Sequence, residues 1–122
     1  MRTPTATYRL QLRDHGVDLN AARRLVPYLA RLGVSHLYLS PILRARTGST
    51  HGYDVVDPRV VDPAIGGGRA LERLADAARA HGLALVADVV PNHMAADPEG
   101  PCFADVLARG RASAFARWFD VD

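Results

Sequence analysis

Residues 83–90 (LALVADVV) are apolar at every position except Asp88. A membrane span needs about 20 apolar residues, far more than this run offers. A half-exposed hairpin strand would alternate apolar with polar side chains, and this segment does not. Such a run suits a parallel strand covered on both faces, and parallel strands need helical crossovers.

The rest of the chain supplies them. Residues 6–12 (ATYRLQL) alternate Tyr8, Leu10 and Leu12 with polar residues, which predicts a strand. Asp18 is placed to cap a helix running to about Leu32, with Leu25, Val26, Leu29 and Leu32 at helical spacing and Gly33 as its stop. Pro27 removes one hydrogen bond from that helix and is expected to bend it. Residues 34–39 (VSHLYL) read as a second strand. Residues 69–81 read as a helix with Leu71, Leu74, Ala75 and Ala78 on one face, and Gly82 lies beyond its end. Residues 103–119, carrying Val106, Leu107, Phe115 and Phe119, predict a last helix.

The order is strand, helix, strand, long loop, helix, strand, long loop, helix. That alternation predicts an α/β fold with a parallel sheet and right-handed crossovers. Both polar-rich loops follow the C-terminal ends of strands, where α/β folds place their ligands.

Length and composition narrow the classes. The 122 residues fit one domain, and 48% hydrophobic with 23% charged residues suits a globular protein. All fifteen basic residues are arginines, scattered except for Arg23-Arg24, so no nucleic-acid partner is expected. Cys102 is the only cysteine, which points to a reducing compartment. Residues 1–5 are not followed by the apolar core of a secretory leader, and no apolar run reaches membrane length. A cytoplasmic protein with no membrane partner is the expectation.

The chemistry concentrates in two segments. Residues 48–58 (GSTHGYDVVDP) and 88–93 (DVVPNH) each follow a predicted strand. Adjacent parallel strands would bring His51, Tyr53, Asp54, Asp88, Asn92 and His93 around one cavity. Asp88 interrupts an apolar strand, and an ionised carboxylate there needs partners. It reads either as a hydrogen-bond hub pinning the following loop or as a group orienting a ligand-binding side chain. Tyr53 is either a lid on the core or a face for a sugar ring, whose C–H groups pack well on an aromatic surface. His51 and His93 can both donate and accept, which suits sugar hydroxyls.

No metal site is expected, because no HxH, HExxH or CxxC spacing occurs. Gly66-Gly67-Gly68 is not followed by Gly-Lys-Ser/Thr and reads as a turn, not a phosphate loop. His36 and Tyr38 read as packing residues within a strand, and Cys102 has no assignable partner.

DVVPNH at the end of a third strand resembles the first signature region of the α-amylase superfamily, glycoside hydrolase family 13. HGYD after the second strand resembles that family's sugar-stacking loop. The longer string HLYLSPILRARTGSTHGYDVVDP, with ATYRLQL before it and ARGRASAFARWFDVD after it, resembles one branch of the family across essentially the whole chain. That branch converts the reducing-end α-1,4 linkage of maltooligosaccharides into an α,α-1,1 linkage.

The resemblance implies a (β/α)8 TIM barrel, of which residues 1–122 would be the N-terminal part, about the first three strand–helix units. It implies that Tyr53 stacks beneath a glucose ring while His51 and His93 bond its hydroxyls. Asp88 and Asn92 would hold the loop bearing His93, with Asp54 likewise in support. The substrate class is an α-1,4-glucan, and no cofactor is implied. In this family the three catalytic carboxylates follow the fourth, fifth and seventh strands. None of this chain's acidic residues matches them, so no catalytic residue is nominated. The chain alone is then expected to be inactive and to need the rest of the barrel for a stable fold. Two alternatives stand: another family-13 α-glucan hydrolase or glucanotransferase, or a non-catalytic glucan-binding remnant.

Overall fold

Parallel strands joined by helices are what the structure shows. The computed structural model describes residues 3–13 and 16–120. The leader reading at Met1-Arg2 and the Val121-Asp122 end of the last quoted string lie outside them. Strands β1 (Thr7–Leu10), β2 (His36–Leu39) and the later β5 (Ala84–Ala87) form one parallel sheet in the order β1-β2-β5. Their register aligns Tyr8 with Leu37 and Leu85, and Leu10 with Leu39 and Ala87.

Two crossovers connect these strands. Helix α1 (Leu19–Leu32) is capped by the Asp18 carboxylate, which accepts a hydrogen bond from the Ala21 amide at 2.6 Å. It ends at Gly33, whose φ of 90° closes the helix in the left-handed region. Pro27 lies within α1 on its exposed side, without dividing it. Helix α2 (Gly67–Ala80) follows a short 3-10 turn at Pro63–Ile65. Leu19, Val26 and Leu29 of α1 pack with Leu74 and Ala78 of α2 and with Leu37 and Leu39 of β2 in one buried cluster. Each fully buried leucine contributes about 1.5–3 kcal/mol relative to exposure.

Alternation along the strands sends Arg9, Tyr38 and Val86 to the face opposite this core. That second face carries the site described below.

Three expectations need correction. The long loop after β2 contains an antiparallel pair, β3 (Leu43–Ala45) and β4 (Val55–Val61). Register shifts between Leu43, Arg44 and Ala45, together with Pro58 inside β4, break the two-residue period that would have announced it. The final helix is shorter than residues 103–119. Helix α3 (Pro101–Arg109) stops at Gly110, and 3-10 turns at Gly110–Ala112 and Ala116–Trp118 follow. Strand β5 is only partly covered, because it stands at the edge of its sheet with β2 as its only strand neighbour among the described residues. Its last residue, Ala87, is exposed, and Asp88 lies just past its end.

Candidate functional site

The loop between β3 and β4, residues 46–54, folds back upon itself through its own polar groups. The Gly52 amide donates to Ser49 Oγ at 3.0 Å, and the Tyr53 amide donates to His51 Nδ1 at 3.1 Å. Ser49 Oγ also donates to the Asp54 carboxylate, and the Arg46 amide donates to the Asp54 carbonyl at 3.0 Å. Gly52 has φ of 82° and is buried, and a Cβ there would overlap the Arg13 guanidinium. A side chain at this position would displace either the loop or the arginine.

Arg13 is itself fixed. Its guanidinium donates to the Pro41 carbonyl, to the Leu43 carbonyl at 3.0 Å and to Asp62 Oδ2 at 2.7 Å. Both side chains of this ion pair are buried. Burial alone would push the Asp62 carboxyl up. Hydrogen bonds from Arg13 and from the Ala45 and Ala64 amides outweigh that and hold it below the usual carboxylate range. The pair joins the segment after β1, the turn after β2, the hairpin and the start of α2.

On this support the Tyr53 side chain reaches the end of β5. Its hydroxyl donates to Asp88 Oδ2 at 2.6 Å and accepts from Arg9 Nη2 at 3.2 Å. The Tyr38 hydroxyl donates to the same Asp88 oxygen at 3.3 Å. The Arg9 guanidinium lies 5.5 Å from the Tyr38 ring centroid and donates to Gln11 Oε1 at 2.7 Å. Hydrogen bonding to Asp88 raises the Tyr53 pKa above its ordinary value, so at neutral pH the phenol is a donor and not a base. The Tyr53 residue is 37% exposed with its hydroxyl tied down, and the His51 ring stacks on it at 6.0 Å and 25°. The result is an aromatic face held in one orientation beside a carboxylate and a guanidinium.

The second loop is arranged differently. Asn92 Oδ1 lies 2.9 Å from His93 Nδ1, and both side chains line a cleft of about 340 Å³ bounded by Pro58, Met94 and Trp118. Tyr53, His51 and Asp88 are not among the residues lining that cleft.

The structure thus gathers Tyr53, His51 and Asp88 at the sheet's end, with Asp54 supporting their loop and 3.8 Å from His51. The Asn92 and His93 side chains pair with each other. The Asp88 carboxylate accepts from the Tyr38 and Tyr53 hydroxyls, and its amide donates to the Leu39 carbonyl at 2.9 Å. Tyr38, read as a packing residue, belongs to this polar group; His36 is buried beside Ser35. Arg9, Arg13 and Asp62 were missed. Arg9 alternates with Tyr8 and Leu10 along β1, which in the sheet puts it on the face opposite Leu10. Arg13 and Asp62 are 49 residues apart and carry no local signal of pairing. Among the described residues no group of three or more His, Cys, Asp or Glu is placed to hold a metal.

Parallel strands with helical crossovers, and aromatic and polar side chains gathered at their C-terminal ends, define an α/β scaffold with its candidate site where such folds place ligands. Residues 11–119 match the alpha-amylase catalytic domain, and the chain belongs to that family. Within it, the chain is 50% identical over 123 residues to a putative maltooligosyl trehalose synthase of Mycobacterium tuberculosis, covering 96% of this chain and 16% of that protein. The solved maltooligosyltrehalose synthase from Arthrobacter ramosus superposes with a TM-score of 0.90 at 49% identity, over 98% of this chain and 16% of that one. Neopullulanase 2 of Thermoactinomyces vulgaris is 36% identical over 108 residues, covering 88% of this chain and 18% of that enzyme. The chain therefore spans about 16% of the length of the synthases it matches, and its architecture is the N-terminal part of an amylase-type barrel.

Proposed function

We propose that this chain forms part of the glucan-binding wall of an enzyme that isomerises the reducing end of maltooligosaccharides. The α-1,4 bond to the terminal glucose breaks, and its O4 takes up a proton. The anomeric hydroxyl of the freed glucose then attacks the same C1 carbon and loses its proton. The product is an isomer ending in an α,α-1,1 linkage, with no net water consumed. Identity of 50% to a putative maltooligosyl trehalose synthase, against 36% to a neopullulanase, supports this branch over a hydrolase.

The single observation that carries the binding role is the clamped ring of Tyr53, whose hydroxyl is bonded to both Asp88 and Arg9. A ring fixed before substrate arrives loses little freedom on binding. Tyr53 would stack on one glucose, and His51 and His93 would bond glucan hydroxyls. Asp54, Asp88 and Asn92 would hold these three in place.

We assign no nucleophile or general acid within these residues. The retaining-type chemistry needs two carboxyls about 5–5.5 Å apart across the scissile bond. By the family resemblance they would come from later strands of a complete barrel, making residues 1–122 the first part of one catalytic domain. Exclusion of water from the closed site would favour return of the glucose over hydrolysis. The lone cysteine supports a cytoplasmic location.

Replacement of Tyr53 tests the reading. In the complete gene product, Tyr53→Ala should cut kcat/KM on maltopentaose by 100-fold or more, on the order of 3 kcal/mol of lost transition-state binding. Tyr53→Phe keeps the ring and loses only its tether, so a smaller loss is expected. Unchanged kinetics in Tyr53→Ala would remove this residue from the site.

A further inference from the structure

The loop of residues 46–54 is closed by its own hydrogen bonds, so where it presents Tyr53 depends on how it is anchored. One anchor is exposed and lies at the start of the loop. There the Thr47 amide and hydroxyl donate to the Glu99 carboxylate at 2.9 and 2.6 Å. A second anchor is buried and immediately precedes Tyr53. A Cβ on Gly52 would stand 2.9 Å from Arg13 Cζ and 3.0 Å from the Pro41 carbonyl oxygen, so the Gly52 backbone rests directly on the guanidinium. A shift of that guanidinium is passed to Gly52 and, through one peptide unit, to Tyr53.

Arg13 is itself tightly placed. Its side chain is 5% exposed, and its fork meets three acceptors, the Pro41 and Leu43 carbonyls and Asp62. Asp62 is fixed in turn by the Ala45 and Ala64 amides, at 3.1 and 2.9 Å. Arg13 also has φ of 76°, the only non-glycine in the left-handed region among the described residues. Its amide donates to the Val17 carbonyl at 2.8 Å in that conformation. A residue with a Cβ stays there only where its surroundings over-determine it, and such strain gathers at ligand-binding positions. Here the strained residue carries the group that lies under the loop. A lysine ammonium is a single point of charge and could not span the same three acceptors.

We propose that Arg13 is a positioning residue for glucan binding: its buried guanidinium is the floor on which Gly52 sits, and it sets where Tyr53 presents its ring. Tyr53 is then held at two ends, by Gly52 on Arg13 at the backbone and by Asp88 and Arg9 at the hydroxyl. Arg13 touches no sugar and acts only through the ring. This inference rests on the glucan-binding reading above and adds a residue to it.

The test is a double-mutant cycle in the complete gene product, reading kcat/KM on maltopentaose with thermal melting as the control for folding. Arg13→Lys keeps the charge and loses the fork, and should lower kcat/KM about tenfold. In the Tyr53→Ala background the same change should lose no more than about twofold, because the ring it positions is gone. Equal losses in both backgrounds would mark a general weakening of the fold and overturn the inference. Unaltered kinetics in Arg13→Lys would overturn it too. If Arg13→Lys does not fold, Gly52→Ala changes the same contact from the loop side and leaves the buried pair whole. It should show about the same tenfold loss with Tyr53 present and no more than about twofold without it. Equal losses, or none, again overturn the inference and leave the glucan reading standing. Unchanged kinetics in Tyr53→Ala alone would instead remove the binding role of Tyr53, and this inference with it.

Discussion

The phenol of Tyr53 is shared by a carboxylate and a guanidinium, and this sharing gives the loop residue a defined orientation. The same logic acts one layer deeper at Asp62. Its carboxyl is held below the ordinary range, so over the interval between the two values the unfolded chain binds more protons than the folded one. Stability therefore rises with pH across that interval and is lost as the pH falls through the folded value. Asp62→Asn should flatten this dependence below about pH 4. At neutral pH it should cost about 3–5 kcal/mol, because Arg13 is left buried without its counter-charge. Urea unfolding of both proteins at pH 7 and pH 3 measures both effects. Equal stability at pH 7 would show that the Pro41 and Leu43 carbonyls suffice for Arg13. Gly52, packed against that guanidinium, links this ion pair directly to the orientation of Tyr53.

At the scale of elements, α3 is set against β4 by a close backbone approach. A Cβ on Gly100 would lie 2.6 Å from the Val56 carbonyl oxygen, nearer than side chains tolerate. Gly100→Ala should destabilise by about 2 kcal/mol, as is common for strain at a packed backbone position. Amide exchange should quicken first in Pro101–Arg109, since that element must lift to admit the methyl group. Protection unchanged across α3 would show that β4 yields instead. How much of this was legible depended on the element. Helix α1 could be read because Asp18, the leucine spacing and Gly33 all encode it locally. The β3–β4 pair could not, since Leu43–Ala45 is three residues long and its register is broken. Asp88 announced itself by interrupting an apolar run. Its partners Tyr38 and Arg9 did not, because an aromatic or a long basic residue in a strand looks the same whether it packs or binds.

Considered whole, the molecule is a sheet with an open side. The described strands leave β5 with a free edge and a half-covered face, and among the described residues no helix is long and apolar enough to cross a membrane. Barrels remove such edges by closing. Residues 1–122 expressed alone are therefore expected to self-associate through β5, eluting early in gel filtration and melting without a sharp transition. A monomer with a cooperative melt would show that the edge is adequately blunted by its own side chains. Aromatic and polar groups are gathered at the strand ends, and the proposed reaction needs two further carboxyls across the scissile bond. The most direct measurement is incubation of the complete gene product with maltopentaose, following reducing ends and the anomeric proton spectrum together. Reducing ends should disappear with chain length unchanged while an α,α-1,1 signal grows. Shorter glucans with rising reducing ends, or maltopentaose left untouched, would contradict the proposed isomerisation.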